Sequence, residues 1–425
     1  RRHADVNRLN TNSTIGFLDF FKNACRNNQE TTIIRNANAE ANDPRIAPLP
    51  LEHQRGGNLP ERRLKMTPEP LDCDPRIDGD ISQLCEHLVT LSTSSRNDSA
   101  WPRKQLEMLQ QADVYRWFIP KHLGGLEWGP VEIASAYVEL ASACLTTTFI
   151  LTQRVAALSR ICASDNIPLR DELLSGILEK NIHATVGISH LTTSRQHLRQ
   201  PACLAIPKDD GYLVTGQSPW VTGACRATHL VVGAEIPDGR QILFAIPSDA
   251  PGITIPKGLN LLALTSSQTG PVKFENVFVD PSALLTKPAK QVLNVSGLTS
   301  TGSTQTSALA LGLATAAVNF IERESLHRPD LTETAEALKA QQFALKDRLL
   351  KTASGITSST NEELRTDMNS FVLRTTQASM AAAKGAGFVD GHPAGRWCRE
   401  ALFFLVWSCP QSVIQANLCE LAGIE

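Results

Sequence analysis

From Ile81 to Lys180 the apolar residues fall at helical spacing. Pro130 opens one helix at a position where its missing N–H costs nothing, and Ile133, Ala136, Tyr137, Leu140, Ala141 and Cys144 follow on one face. Between His183 and Val279 the period changes to short β-rich runs at Tyr212 to Thr215, His229 to Ala234, Gln241 to Ile246, Gly252 to Ile255 and Val272 to Val279. Turn residues such as Pro237-Asp238-Gly239 separate them, which predicts a compact antiparallel barrel or sandwich. Helical spacing returns after Ser303, where Leu309, Leu313, Ala316 and Phe320 share a face. Further helices are predicted over Leu331 to Ala353, after the capping-box sequence Thr360-Asn361-Glu362-Glu363, and over Pro410 to Leu421. The chain is therefore α+β and mostly α. Its expected order is an N-terminal α-domain over 66–181, a middle β-domain over 182–290 and a C-terminal four-helix domain over 291–425.

Residues 1–65 are rich in Arg, Asn, Glu and Pro with no helical or strand period, which predicts a disordered extension. The first methionine is Met66, and the ordered protein is expected to start near it. A length of 425 residues with 42% hydrophobic content allows two or three domains and a large core. A formal net charge of −2 gives no footprint for nucleic acid. Apolar runs such as Ala401 to Trp407 are too short to span a bilayer. Ten cysteines without a C-x-x-C pair read as reduced, mostly buried thiols, consistent with a cytoplasmic location and no structural zinc. His190 and His197 do not have metal-site spacing, so no metal is expected.

The segment Gly211 to Gly223, GYLVTGQSPWVTG, reads as a strand, a polar turn, then Trp220 and Thr222 two residues apart. A ring face beside a hydroxyl suits a flat aromatic cofactor; the same tryptophan equally suits a core position at a strand end. Three other segments accompany it. They are Pro120-Lys121-His122-Leu123-Gly124-Gly125, Arg328 sixteen residues after Gly312, and Lys384-Gly385-Ala386-Gly387-Phe388 followed by Pro393 and Arg399-Glu400-Ala401.

With this order of elements, the four segments resemble the acyl-CoA dehydrogenase superfamily of flavoproteins over about residues 80–425. The resemblance implies FAD as cofactor, with Trp220 covering one face of the isoalloxazine and Thr222 near its reactive nitrogen. Ser189 would keep a hydroxyl contact to the flavin. Gly385 and Gly387 would let backbone approach the adenosine half, and Arg328 would pair with the pyrophosphate of a neighbouring subunit, in a homodimer or homotetramer. This sequence departs from the family at Pro329-Asp330-Leu331, where a Phe-Gly pair is usual, and at Ala381, where a glutamine is usual.

Acyl-CoA dehydrogenation needs a carboxylate base, and both family locations for one are empty. No Asp or Glu occurs between Pro281 and Ile321 or between Ala401 and Cys419. Ser408 stands at the usual base position and cannot act as an unaided base near neutral pH. Ser408-x-x-Gln411 has the capping-box form, which makes Ser408 an expected N-cap. Cys409 and His190 are the remaining titratable candidates, each with a bland reading beside it: an inert buried thiol and a satisfied loop histidine. Glu400 is expected to form an ion pair. The resemblance implies a flavin-dependent oxidoreductase acting on an acyl thioester or related CH–CH substrate. The alternatives are a flavin monooxygenase of the same fold and a catalytically silent scaffold.

Overall fold

The computed structural model describes residues 81–94, 100–192, 201–294, 304–356 and 359–424. The segment read as a disordered extension, Met66 and the loop from Thr193 to Arg195 lie outside the described residues. The described chain is mostly helical, and its elements run helical, then sheet, then helical.

The first helices are α1 (Ser82–Ser94), α2 (Arg103–Gln111), α3 (Pro130–Ala143), α4 (Leu145–Cys162) and α5 (Ile167–Leu178). Pro130 occupies the first turn of α3 as the spacing predicts, and Asn166 caps α5 by accepting from the Leu169 N–H. The turn after Pro120 forms as a single 3-10 turn over Lys121–Leu123.

The strands are β1 (Ala184–Gly187), β2 (Cys203–Lys208), β3 (Gly211–Val221), β4 (His229–Glu235), β5 (Gln241–Pro247), β6 (Ile253–Thr254) and β7 (Gly270–Val279). Among the described residues they make one curled sheet, ordered β1-β4-β2-β3-β7-β6 with β5 on the other edge of β4. The expectation of an antiparallel barrel is corrected, because β1 runs parallel to β4, pairing Ala184 with His229 through Gly187 with Val232. The chain between β1 and β4 is long enough for a crossover, and a hairpin would have forced antiparallel pairing. β4 and β5 read as unbroken apolar runs because both their faces are covered. Leu230, Val232, Ile242 and Phe244 enter the core between the curled halves, while Val231, Leu243 and Ala245 pack with Ala157, Ile161 and Leu173 of α4 and α5.

The polar turn expected at Gly216-Gln217-Ser218 is also corrected. β3 continues through it, with register shifts against β7 on either side of Gly216. Gly216 has φ of +135° and lies so close to β2 that a Cβ there would come within 2.2 Å of the Ala202 carbonyl. Glycine makes this bulge possible, which hides a strand behind a turn-like composition.

The C-terminal helices are α7 (Thr304–Ser325), α8 (Thr332–Ala353), α9 (Asn361–Ala383), α10 (Pro393–Ala401) and α11 (Gln411–Ala422), after a one-turn α6 (Ser189–Thr192) that follows β1. The capping box of α9 forms in full: the Glu363 N–H donates to Thr360 Oγ1 at 3.1 Å, and the Thr360 N–H donates to Glu363 Oε2 at 2.9 Å. α7 packs against α3, α8 and α9, and joins the N-terminal helices in one apolar core. It is long and apolar enough to cross a membrane by composition, but 67% of its most apolar window is buried in that core.

The Ser408 cap is not formed. α11 begins at Gln411 with Pro410 as its N-cap and no side-chain capping bond, and Ser408 has φ of +48°. A Ser-x-x-Gln pattern cannot reveal that the chain turns left-handed at the serine. The described cysteines are free thiols; Cys203 and Cys409 are buried, Cys225 is exposed and the others are half-buried, fewer buried than composition suggests.

Candidate functional site

β3 carries Trp220 to the sheet surface and ends next to Thr222. Neighbouring strand residues point to opposite faces, so Trp220 stays 48% exposed while Val221 is buried; Thr222, one residue past the end of the strand, is buried as well. Thr222 Oγ1 lies 2.9 Å from Thr269 Oγ1, which lies 2.8 Å from Ser267 Oγ. Thr185 of β1 donates to the Thr222 carbonyl at 2.8 Å. A row of buried hydroxyls therefore backs the position beside the Trp220 ring. α6 contacts β3, which brings Ser189 to the same end of the sheet.

His190 is buried, with Nε2 2.8 Å from the Gly233 carbonyl of β4. Its ring is held against the strand by that bond.

Arg328 and the glycine turn, far apart in sequence, meet in space. Arg328 Nη1 donates to the Ala382 carbonyl at 2.5 Å, at the end of α9, and Nη2 donates to Asp330 at 3.3 Å. Lys384–Phe388 follows as a 3-10 turn. A Cβ on Gly387 would come within 2.8 Å of the Ala383 Cβ and 2.9 Å of Met380 Sδ, whereas one on Gly385 would meet nothing within 4 Å. Gly387 is thus fixed by packing, and Gly385 presents open backbone.

The segment before α11 is aromatic. Trp407 stacks on Phe403 with centroids 5.0 Å apart, and Phe149 of α4 meets both edge-on. Behind this cluster, Arg365 of α9 is only 1% exposed; Nη2 donates to the carbonyls of Phe404 at 3.3 Å and Trp407 at 3.1 Å. Asn369, one turn along, donates to the same Phe404 carbonyl and to Asn417 Oδ1. Burial lowers the Arg365 guanidinium to about 10. Burial also pushes the Cys409 thiol up, partly offset by Arg365 and Asn369, so Cys409 stays protonated near neutral pH and is unsuited to nucleophilic work.

No family model matches the chain. The mitochondrial short-chain specific acyl-CoA dehydrogenase of Bos taurus is 26% identical over 349 residues, covering 74% of this chain and 81% of that protein. The butyryl-CoA dehydrogenase structure from Megasphaera elsdenii superposes with a TM-score of 0.63 at 16% identity, covering 81% of this chain and 99% of that one. The chain is similar in sequence to acyl-CoA dehydrogenases and shares their fold. The probable acyl-CoA dehydrogenase YngJ of Bacillus subtilis is 29% identical over 152 residues, 35% of this chain, which spans only 40% of that relative's length. The fold is also similar to that of the FMN-bound dibenzothiophene monooxygenase TdsC of Paenibacillus sp. A11-2, with a TM-score of 0.66 at 17% identity and coverage of 80% and 96%.

Arg365 and Asn369 escaped the reading by superfamily segments. Their one signal was position: they lie beside Leu364 and Met368 on the apolar stripe of α9, where charged or amide side chains are out of place.

Proposed function

We propose that this chain is a flavin-dependent oxidoreductase that seats FAD on Trp220 and Thr222. The supporting observation is the half-exposed Trp220 ring beside a buried row of hydroxyls, an apolar face with fixed polar groups at its edge. A flavin bound there supplies the electron-accepting or oxygen-activating chemistry that the side chains lack. Trp220 would cover the ring system and Thr222 would present a hydroxyl to its edge, with Ser189 beside it. Gly385 would let the backbone approach the nucleotide half. Arg328 would meet the pyrophosphate of a second copy, so this role requires a homodimer or homotetramer.

The relatives named as acyl-CoA dehydrogenases support a substrate that is an acyl thioester or a related CH–CH compound. A second reading, a flavin monooxygenase like TdsC, is favoured by a specific observation. The segment that would face the flavin offers Trp407, Ser408 and Cys409 and no carboxylate, and the start of α7 offers none either. Proton abstraction next to a thioester needs such a base; oxygen transfer from reduced flavin does not.

One preparation separates the readings. A yellow protein with bound FAD that bleaches anaerobically on adding an acyl-CoA is expected of the dehydrogenase. Failure of any acyl-CoA to bleach it, with product forming only when a reductase supplies reduced flavin and oxygen, establishes the monooxygenase. A colourless protein that takes up neither FAD nor FMN overturns both.

A further inference from the structure

We propose that Trp101 is a positioning residue for the flavin seat, acting on Thr222 through Gly223. This role rests on the flavin reading and brings a residue of the N-terminal helices to the seat.

Trp101 stands just before α2, whose N-cap is Pro102. Its half-buried ring packs against the apolar core of the helices. The Arg154 guanidinium of α4 lies over the ring, 5.9 Å from the centroid. Arg154 is itself anchored, its Nη1 donating to Tyr115 Oη at 3.1 Å. The far edge of the indole then reaches Gly223. A Cβ on Gly223 would come within 2.7 Å of Trp101 Cη2 and 3.1 Å of Cζ3, so the ring edge lies directly on the glycine backbone.

Gly223 needs such a contact. It follows Thr222, is left-handed with φ of +63°, and opens the single 3-10 turn Ala224–Arg226, whose Arg226 N–H donates to the Gly223 carbonyl at 2.9 Å. Glycine has the largest backbone freedom of any residue and no side chain of its own to fix it. On the sheet side, Thr222 is held by Thr185 at its carbonyl, 2.8 Å, and by Thr269 at its hydroxyl, 2.9 Å. On the other side, the turn that follows it has the Trp101 ring. A hydroxyl that meets the edge of a flat ligand has to be placed within about 0.5 Å, and an unrestrained glycine next to it would not allow that. Ring and glycine are matched: the ring needs a residue without a side chain, and the glycine needs the ring.

Fluorescence titration of the full chain with FAD tests this role in the parent, Trp101→Phe, Gly223→Ala and the double variant. Phenylalanine is too short to reach Gly223, so Trp101→Phe is expected to weaken FAD roughly threefold by loosening the Thr222 hydrogen bond. Gly223→Ala drives a methyl into the indole and is expected to lose that bond, roughly tenfold. In the double variant the shorter ring leaves room for the methyl, so the combined loss is expected to stay well below the product of the single losses. Amide exchange at Arg226 in flavin-free Trp101→Phe is expected to be faster than in the parent, a readout that needs no cofactor. If Gly223→Ala does not fold, Trp101→Phe decides by affinity and exchange. A parent that binds no flavin overturns the flavin reading and this role with it. A parent that binds FAD while Trp101→Phe leaves either affinity or Arg226 exchange unchanged, or single losses that multiply in the double variant, overturns this role alone.

Discussion

The guanidinium of Arg365 donates to the Trp407 carbonyl across 3.1 Å and lies 5.5 Å from the centroid of the Phe404 ring, so one buried cation holds the bend that carries Ser408. Its Nε and Nη1 have no hydrogen-bond partner among the described residues. Such a group stabilises through what it clamps and costs through what it leaves unpaired. Arg365→Ala opens a cavity and removes a donor from both carbonyls, and is expected to cost about 3 kcal/mol. Arg365→Met keeps most of the volume and removes the buried charge, and is expected to stay within about 1 kcal/mol of the parent protein. Urea unfolding of the two variants checks this; equal losses would mean that the clamp, not the packing, dominates.

Trp220→Ala tests the flavin seat. The ring is half-exposed, so its removal leaves the unfolding midpoint nearly unchanged. Loss of a stacking partner worth about 1 kcal/mol lowers flavin affinity roughly fivefold. Fluorescence titration with FAD measures it, and unchanged affinity places the cofactor elsewhere.

Gly312→Ala probes the crossing of α7 and α3. A Cβ there would come within 2.6 Å of both the Ala141 Cβ and the Val138 carbonyl. Alanine improves helix propensity by about 1 kcal/mol, but a backbone carbonyl cannot swing aside. Overpacking of this kind costs up to about 3 kcal/mol, so net destabilisation by about 1–2 kcal/mol is expected in thermal unfolding.

Acid should weaken the sheet end where β1 and β4 start. His183 is held below its ordinary value by burial and then by Arg154; His229 is lowered by burial, partly offset by Glu172 and Asp249. Because the folded-state values lie below the unfolded value of about 6.5, the unfolded chain binds more protons there. Stability is full above that pH and falls as pH drops through it towards the folded values. His183→Asn and His229→Asn should flatten the decline between pH 7 and 5 in denaturant titrations; an unchanged slope would assign it to carboxylates.

Helices with a wide apolar face and a local stop signal were legible: α3 from Pro130, α9 from Thr360 and Glu363, and α8 from its spacing. β1 and β2 were missed. β1 is four residues buried on every side, with no alternation to betray it, and half of β2 turns to solvent. α10 was missed because its short run, Pro393–Ala401, sits between glycines and aromatics that read as loop. At the site, Trp220 and Thr222 stood out because they are local. Arg365 with Trp407 and Arg328 with Ala382 could not, since each pair joins segments that only tertiary packing brings together.

The hydroxyl row of Ser267, Thr269 and Thr222 has no fixed direction, since either oxygen of each pair can donate. Three rotating O–H bonds can turn together, so the row can end at Thr222 with a proton or with a lone pair facing outward. The wall behind Trp220 can therefore reverse its polarity without moving a heavy atom, and serve whichever protonation state its neighbour adopts.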